Sequence, residues 1–409
     1  MIRLRLDKIR PGMVTASTIW NPVRPDQILI ERDVVLDANI LRRLEQLGIE
    51  RLYIQAPGLD LVRQYIDPEL ERARDRLHLV GGELIDAIRR EDRRNQNWRK
   101  FEIVIEELVR HMSANPAGAV FTDPAASRDN LLLDHAVDVC YLCTLLGLRS
   151  QGYLVRQRRR LSPTQASNLT NLAIAGLLHD LGMYELPAST QERWLLDRDE
   201  TDATWRQHVD LGYQRVNGVV DTVVCAAIRQ HHQYYDGSGF PRKKLWDGRE
   251  VGVAGDQIHV FARVVTAADI FSEVKSCIER RGMLNVRALA QVVSGAVARR
   301  IDPVVLKALL EVVPAYPPGT PVRLTDGRHG VVIDWKPNRP CRPAVAMTGP
   351  VEEYVIEEPH AVDIVDLVEA PQLAIAEVEG ADVTRDNFEP PAGAAPRGTA
   401  RAFDVLDVA

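Results

Sequence analysis

Five stretches of this chain carry apolar stripes at helical spacing, and each stripe runs into a histidine or an aspartate. In DTVVCAAIRQHH, Val223, Val224, Ala227 and Ile228 form the stripe, and His231 and His232 continue it by one turn. In NLTNLAIAGLLHDLG, Leu169, Leu172, Ala173, Gly176 and Leu177 form a face that Asp180 extends and His179 flanks. The stripe Phe261, Val265, Ala268 of FARVVTAADIF reaches Asp269. Trp205, His208 and Gly212 share one side of a helix that Thr201 or Asp202 caps and Asn217-Gly218 ends. His135, Val139 and Leu142 share a face in DHAVDVCYLCTLLG.

An inward imidazole or carboxylate without a partner costs on the order of a few kcal/mol. For any one of them, a hydrogen-bonded core residue is the simpler reading. Seven in one helical region change that balance, because carboxylate oxygen and neutral imidazole together are the ligand set of a hard or borderline divalent metal. Cysteine stands at none of these positions, which argues against structural zinc or an iron–sulfur cluster. Seven ligands exceed one tetrahedral ion and suit two ions sharing a bridging carboxylate, with Asp180 the natural bridge. Two ions about 3.5–4 Å apart hold a hydroxide between them and clamp an in-line phosphoryl displacement.

The histidine pair leads directly into QYYDGSGFP. Gly237 and Gly239 remove the Cβ atoms that would keep backbone N–H groups from an oxyanion, and Pro241 stiffens the exit. Taken alone, DGSG reads equally as a surface turn.

The rest of the chain frames this region. The 409 residues allow two to four domains. A net charge of −6 gives no global electrostatic reason to bind DNA or an anionic membrane, so neither is expected as a partner. The five cysteines fit a reducing compartment, and Cys140 and Cys143 read as a buried reduced pair. The N-terminus lacks an apolar leader and no apolar run approaches a membrane span, so a cytoplasmic location is expected.

Residues 1–62 alternate and turn as a small β-rich module with one helix near LDANILRRLEQLG. Residues 63–130 comprise charge-rich helices and a breaker-rich connector. The helical part, 63–112, reads equally as a dimerising stalk that implies a homodimer and as a solvated helix face. Residues 131–315 are almost purely helical. Two β-runs flank Asp326-Gly327, so 316–371 reads as a small strand extension, and 372–409 as a disordered tail. The fold class is therefore mainly α, with a small N-terminal α+β module and a short C-terminal β extension.

The series His135, HDLG at 179–182, His208, HH at 231–232, DGSGFP at 236–241 and Asp269 resembles the HD-GYP family of phosphohydrolases over roughly 180 residues. The flanks resemble it too: IRPGM and LEQLGIERLYI look like its small N-terminal module, and YPPGTPVRLTDGRHGVV like a strand extension. The resemblance implies a helical HD-superfamily domain that hydrolyses cyclic di-GMP to the linear dinucleotide and can continue to GMP. It implies two divalent ions, commonly iron or manganese. By position, His135, His179, Asp180, His208, His231, His232 and Asp269 would be ligands, with His179 and Asp180 central to catalysis. Asp236, Gly237, Gly239, Phe240 and Pro241 would shape the substrate side, a loop also linked to partner proteins, and Lys275 and Arg281 loosely match a basic run beyond Asp269.

Several positions depart from the family pattern. Met183 stands in place of a lysine that would donate to a substrate phosphate, a loss on the order of 1.5–3 kcal/mol. Gln233 replaces a glutamate, Phe240 a tyrosine and Ser272 a second aspartate. Leu131 offers no carboxylate for a third ion, so two ions are expected. The leading expectation is a metal-dependent cyclic di-GMP phosphodiesterase slowed by the loss at 183. The alternative is a metal-bound, non-catalytic signalling module that senses nucleotide or docks a partner through DGSGFP. A di-iron oxygenase on a related helical scaffold would leave that loop idle.

Overall fold

The computed structural model describes residues 1–91, 97–121, 130–276, 283–350 and 362–390. The N-terminal module pairs β1 (Ile2–Arg5) with β4 (Arg51–Ile54) and β2 (Ile19–Asn21) with β3 (Arg24–Ile30), all antiparallel, around α1 (Ala38–Gln46). Asp37 caps α1 by accepting from the Ile40 N–H at 2.7 Å. The expected β-rich module with one helix is what forms.

The helices that follow are α2 (Pro68–Arg89), α3 (Trp98–Ala114), α4 (Leu131–Arg149), α5 (Gln151–Gln157), α6 (Pro163–Ala166), α7 (Thr170–Leu178), α8 (Ala188–Asp197), α9 (His208–Val216), α10 (Thr222–Gln230), α11 (Val260–Ser276), α12 (Asn285–Val292), α13 (Gly295–Ala298) and α14 (Pro303–Val312). Their starts follow local chemistry. Asp67, Asn130, Asp221 and Asp302 cap α2, α4, α10 and α14, and proline occupies the first turn of α2 and α14. A small hairpin, β5 (Lys243–Lys244) with β6 (Glu250–Val251), interrupts the helical run.

α4 and α7 cross at the centre, against α10 and α11. Gly176 of α7 meets the α4 backbone so closely that an added Cβ would lie 3.0 Å from the Cys140 Cα. Each buried leucine of this core contributes about 1.5–3 kcal/mol. Cys140 and Cys143 are free and buried, as expected. By length and composition α4 could cross a membrane, but 67% of its apolar window is buried inside the fold.

The stalk reading of 63–112 is corrected. Leu70, Leu77 and Leu84 of α2, with Phe101, Val104 and Leu108 of α3, belong to the same apolar core as α4, α7 and α11. The charge-rich sequence marks only their outer faces, and the inner stripe packs.

The C-terminal strands β7 (Pro321–Leu324), β8 (His329–Asp334), β9 (Ala344–Thr348), β10 (Ile364–Asp366), β11 (Ile375–Val378) and β12 (Ala381–Asp382) form one sheet in the order β10-β9-β8-β7-β11-β12. The hairpin expected at Asp326-Gly327 joins β7 to β8, with Gly327 at φ +89°. The expected tail from 372 is also corrected. β11 pairs with β7, and the Asn387 side chain donates to Ile375 O at 2.9 Å. The apolar residues Ile375, Val378 and Val383 are buried, and burying them outweighs the polar composition beyond 386. Residues 391–409 lie outside the described residues.

Candidate metal centre

Helix ends place the imidazoles. His179 caps the C-terminus of α7 and His231 that of α10. The last carbonyls of a helix lack an intrahelical partner, and both rings use one. His179 Nδ1 lies 2.8 Å from Gly176 O, and His231 Nδ1 lies 2.7 Å from Ile228 O. His208, the first residue of α9, makes the same contact with Trp205 O at 2.7 Å. A carbonyl can only accept, so in the neutral rings Nδ1 holds the proton and Nε2 presents a lone pair. His135 differs: its Nδ1 faces the Ser272 hydroxyl of α11 at 2.9 Å.

All seven side chains expected as ligands converge. Asp180, His208, His231 and His232 form one group, and His135, His179 and Asp269 a second, with candidate ligand atoms in each within 4.8 Å of one another. Asp180 stands between the groups. Its Oδ1 lies 3.4 Å from His208 Nε2 and 3.6 Å from His231 Nε2. Its Oδ2 lies 3.7 Å from His179 Nε2 and 3.9 Å from His135 Nε2. Asp269 Oδ1 is 3.1 Å from His135 Nε2 and 3.6 Å from His179 Nε2, and its Oδ2 is 4.0 Å from His232 Nδ1.

A close backbone contact makes this convergence possible. A Cβ on Gly182 would lie 1.9 Å from His208 O and 2.6 Å from the Gly212 nitrogen. Only glycine lets the turn after Asp180 press against the first turn of α9.

The electrostatics call for positive charge. Burial acts to raise Asp180, but the imidazoles of His179, His231 and His208 outweigh it and hold the carboxyl well below the usual range. Asp269 is held low in the same way, by His135 and His179. Burial acts to lower His179, yet Asp180 and Asp269 lift it to about 9. Burial brings His208 down to about 4, and burial with the neighbouring His231 and His208 pushes His232 well below its ordinary value. The donor set fits a divalent cation. His208 Nε2 and His231 Nε2 face each other at 3.3 Å with Asp180 Oδ1 beside them, and both rings have used their N–H groups elsewhere. Three lone-pair atoms converge there, an arrangement a cation resolves.

The loop residues take other roles. Gly237 N donates to Tyr234 O, Ser238 N to Asp236 Oδ1 and Phe240 N to His232 O. These three amides are used inside the loop, so an N–H cradle for a phosphate could not include them as they stand. Gly237 sits at φ +80°. Gly239 is required because a Cβ there would lie 2.0 Å from His232 O. Phe240 stacks on His232, with ring centroids 4.9 Å apart, and the Phe240–Pro241 peptide is cis. Gln233 Nε2 donates to Pro241 O at 3.0 Å, a bond the carboxylate of a glutamate could not make. Lys275 reaches Asn285 Oδ1 at 2.6 Å, and Arg281 lies outside the described residues.

Two features escaped the sequence reading. One is Ser272 as the partner of His135. The other is an aromatic floor in which Trp194 stacks on Trp205 (3.9 Å) and Trp205 faces His208 and His232, each at 4.9 Å. Trp205 and His208 share one helix face, so the spacing carried part of that signal.

Residues 132–305 match the family described as HD domain. The chain is 25% identical over 236 residues to a cyclic di-GMP phosphodiesterase of Pseudomonas aeruginosa, covering 56% of this chain and 51% of that protein. It is 28% identical over 144 residues to the cyclic di-GMP phosphodiesterase response regulator RpfG of Xanthomonas campestris, covering 34% and 35%. It is 26% identical over 122 residues to a 3'3'-cGAMP-specific phosphodiesterase of Vibrio cholerae, covering 30% and 26%. The chain thus spans about half the length of the first of these relatives and less of the other two. The segment that matches the HD domain model contains all seven converging side chains.

Proposed function

We propose that this protein is a metal-dependent phosphodiesterase that opens a cyclic dinucleotide, with cyclic di-GMP the first candidate. The observation that carries the reading is the split of Asp180, one oxygen toward each group of imidazoles. Two divalent ions, iron or manganese, would be held by His208, His231, His232 and Asp180 in one half and by His135, His179, Asp269 and Asp180 in the other. Such ions supply Lewis-acid polarisation of a phosphodiester and an activated water for in-line attack. The chain's own residues orient the ligands through backbone carbonyls and wall the site with Trp205 and Phe240. The relatives' names support the substrate class, since they act on cyclic di-GMP or on 3'3'-cGAMP.

A second reading is a metal-bound module that senses nucleotide without turnover. It is favoured by Met183, fully buried where a phosphate-binding lysine would serve catalysis. In it, the exposed Asp236 and Ser238 leave the tip of the loop open to a partner protein. Incubating Mn²⁺-loaded protein with cyclic di-GMP separates the two. Linear product that vanishes in Asp180→Asn, together with most of the bound metal, supports the enzyme. Nucleotide binding without product supports the sensor. Wild-type protein that takes up no divalent ion defeats both.

A further inference from the structure

The hairpin that follows the DGSGFP loop carries the most exposed large apolar side chain among the described residues. Trp246 is 97% exposed, whereas the other five tryptophans are buried or half-buried. Chemistry is ordered along this hairpin. Arg242, Lys243 and Lys244 are exposed at its base, and Leu245 and Trp246 follow at the tip. The tip closes through Leu245 N to Arg249 O and Gly248 N to Leu245 O, with Gly248 at φ +83°. Asp247 in the tip is paired with Arg249 at 2.7 Å, and Glu250 stands across the ladder from Lys244. Four cations against two carboxylates give residues 242–250 a positive balance in a chain whose net charge is −6. The base is packed: a Cβ on Gly252 would lie 2.0 Å from Gly237 O, so the chain leaving the hairpin presses directly on the loop. Where it rejoins the helices, Gln157 donates to Asp256 Oδ1 at 3.4 Å, and the exposed Arg156, Arg159 and Arg160 add a second cationic run.

We infer that the hairpin 242–250 is a peripheral anchor for an anionic lipid surface, with Trp246 seated at headgroup depth and Arg242, Lys243 and Lys244 against the lipid phosphates. Two observations select this occupant over a protein groove. The side chains around Trp246 are charged, with half-buried Leu245 the one apolar neighbour in the hairpin, so the indole lacks the apolar surround that shields a docked anchor from water. An amphipathic indole needs only a soft interface. The cations also precede the tip, so the tip can enter while their charges stay at headgroup level. Each cation held near such a surface contributes about a fivefold gain in partition. The chain's overall negative charge does not cancel this, because fields in physiological salt fade over about 8 Å. It orients the molecule instead, hairpin toward the lipid. The inference is independent of the metal centre.

The test uses the full chain and extruded vesicles of phosphatidylglycerol and phosphatidylcholine in equal parts, with pure phosphatidylcholine as the control. Flotation should recover the protein with the anionic vesicles and not with the neutral ones, and recovery should fall as salt is raised. Trp246→Ala should lower partition about tenfold. Lys243→Gln combined with Lys244→Gln should lower it about 25-fold. Both variants should keep the wild-type unfolding midpoint, because these side chains are exposed. Lipids brominated near the headgroup should quench tryptophan emission in wild type and not in Trp246→Ala, which separates seating of the tip from simple adsorption of charge. Wild-type protein that floats with neither vesicle would overturn the inference, and so would partition or quenching undiminished in Trp246→Ala. A concentration-dependent dimer that Trp246→Ala dissolves, with no vesicle binding, would overturn it in favour of a second copy of the chain at the tip.

Discussion

Met183 shows how far a single side chain can depart from what its position suggests. It is fully buried in an apolar cluster with Leu186, Trp194, Trp205, Val209 and Phe240. Restoring a lysine would bury an unpaired ammonium there, so Met183→Lys should lower stability by several kcal/mol, read as a fall in unfolding midpoint, before any gain in rate. Glu71 carries a separate prediction. Burial, against a pull from Arg3, lifts its carboxyl from 4.5 to about 7. The folded chain holds this proton more tightly than the unfolded chain. The resulting stability is complete below pH 4.5 and is lost as pH rises through about 7. Glu71→Gln should therefore flatten the stability profile, gaining about 1–3 kcal/mol over wild type near pH 8 relative to pH 5 in denaturant titrations.

At the scale of elements, the centre depends on where helices stop. A carbonyl in the last turn of α7 and of α10 fixes the histidine that follows each helix, so the cap of the helix and the orientation of that imidazole are one feature. The turn 181–185 docks on α9 through Gly182 against the backbone of His208 and Gly212. Gly182→Ala would drive a methyl into that backbone and separate Asp180 from His208. The expected result is at least about 3 kcal/mol of lost stability and loss of metal uptake, checked by thermal unfolding and elemental analysis. Normal metal content in a normally stable Gly182→Ala protein would contradict this packing.

At the scale of the whole molecule, the C-terminal sheet joins the two ends of the chain. Val331 and Ile333 of β8 point into the N-terminal core with Ile2, Leu36 and Leu52, while Val332 points into the helical core. This is the two-residue alternation of a strand serving two hydrophobic layers. Arg51 of β4 pairs with Glu379 through two hydrogen bonds, at 3.1 and 3.3 Å. Because the sheet is common to both cores, scanning calorimetry should show one cooperative transition rather than separate melting of residues 1–62. Glu379→Ala strips a largely buried arginine of its bidentate partner and should cost about 2 kcal/mol.

The sequence by itself determined the seven side chains that converge, because each prolongs or flanks an apolar helical stripe and helical phase turns it inward. It also determined the N-terminal module and the hairpin at Asp326-Gly327, since alternation and turn chemistry are local. What only the tertiary structure decided depends on which surfaces meet. α2 and α3 read as a stalk because their outer charges dominate the sequence, whereas burial of their inner faces against α4 and α7 makes them core. Residues 372–390 fold because β7 offers β11 a partner. Met183 lies among aromatics and Ser272 faces His135 for the same reason: long-range packing selects each side chain's neighbours, and no spacing along the chain encodes them.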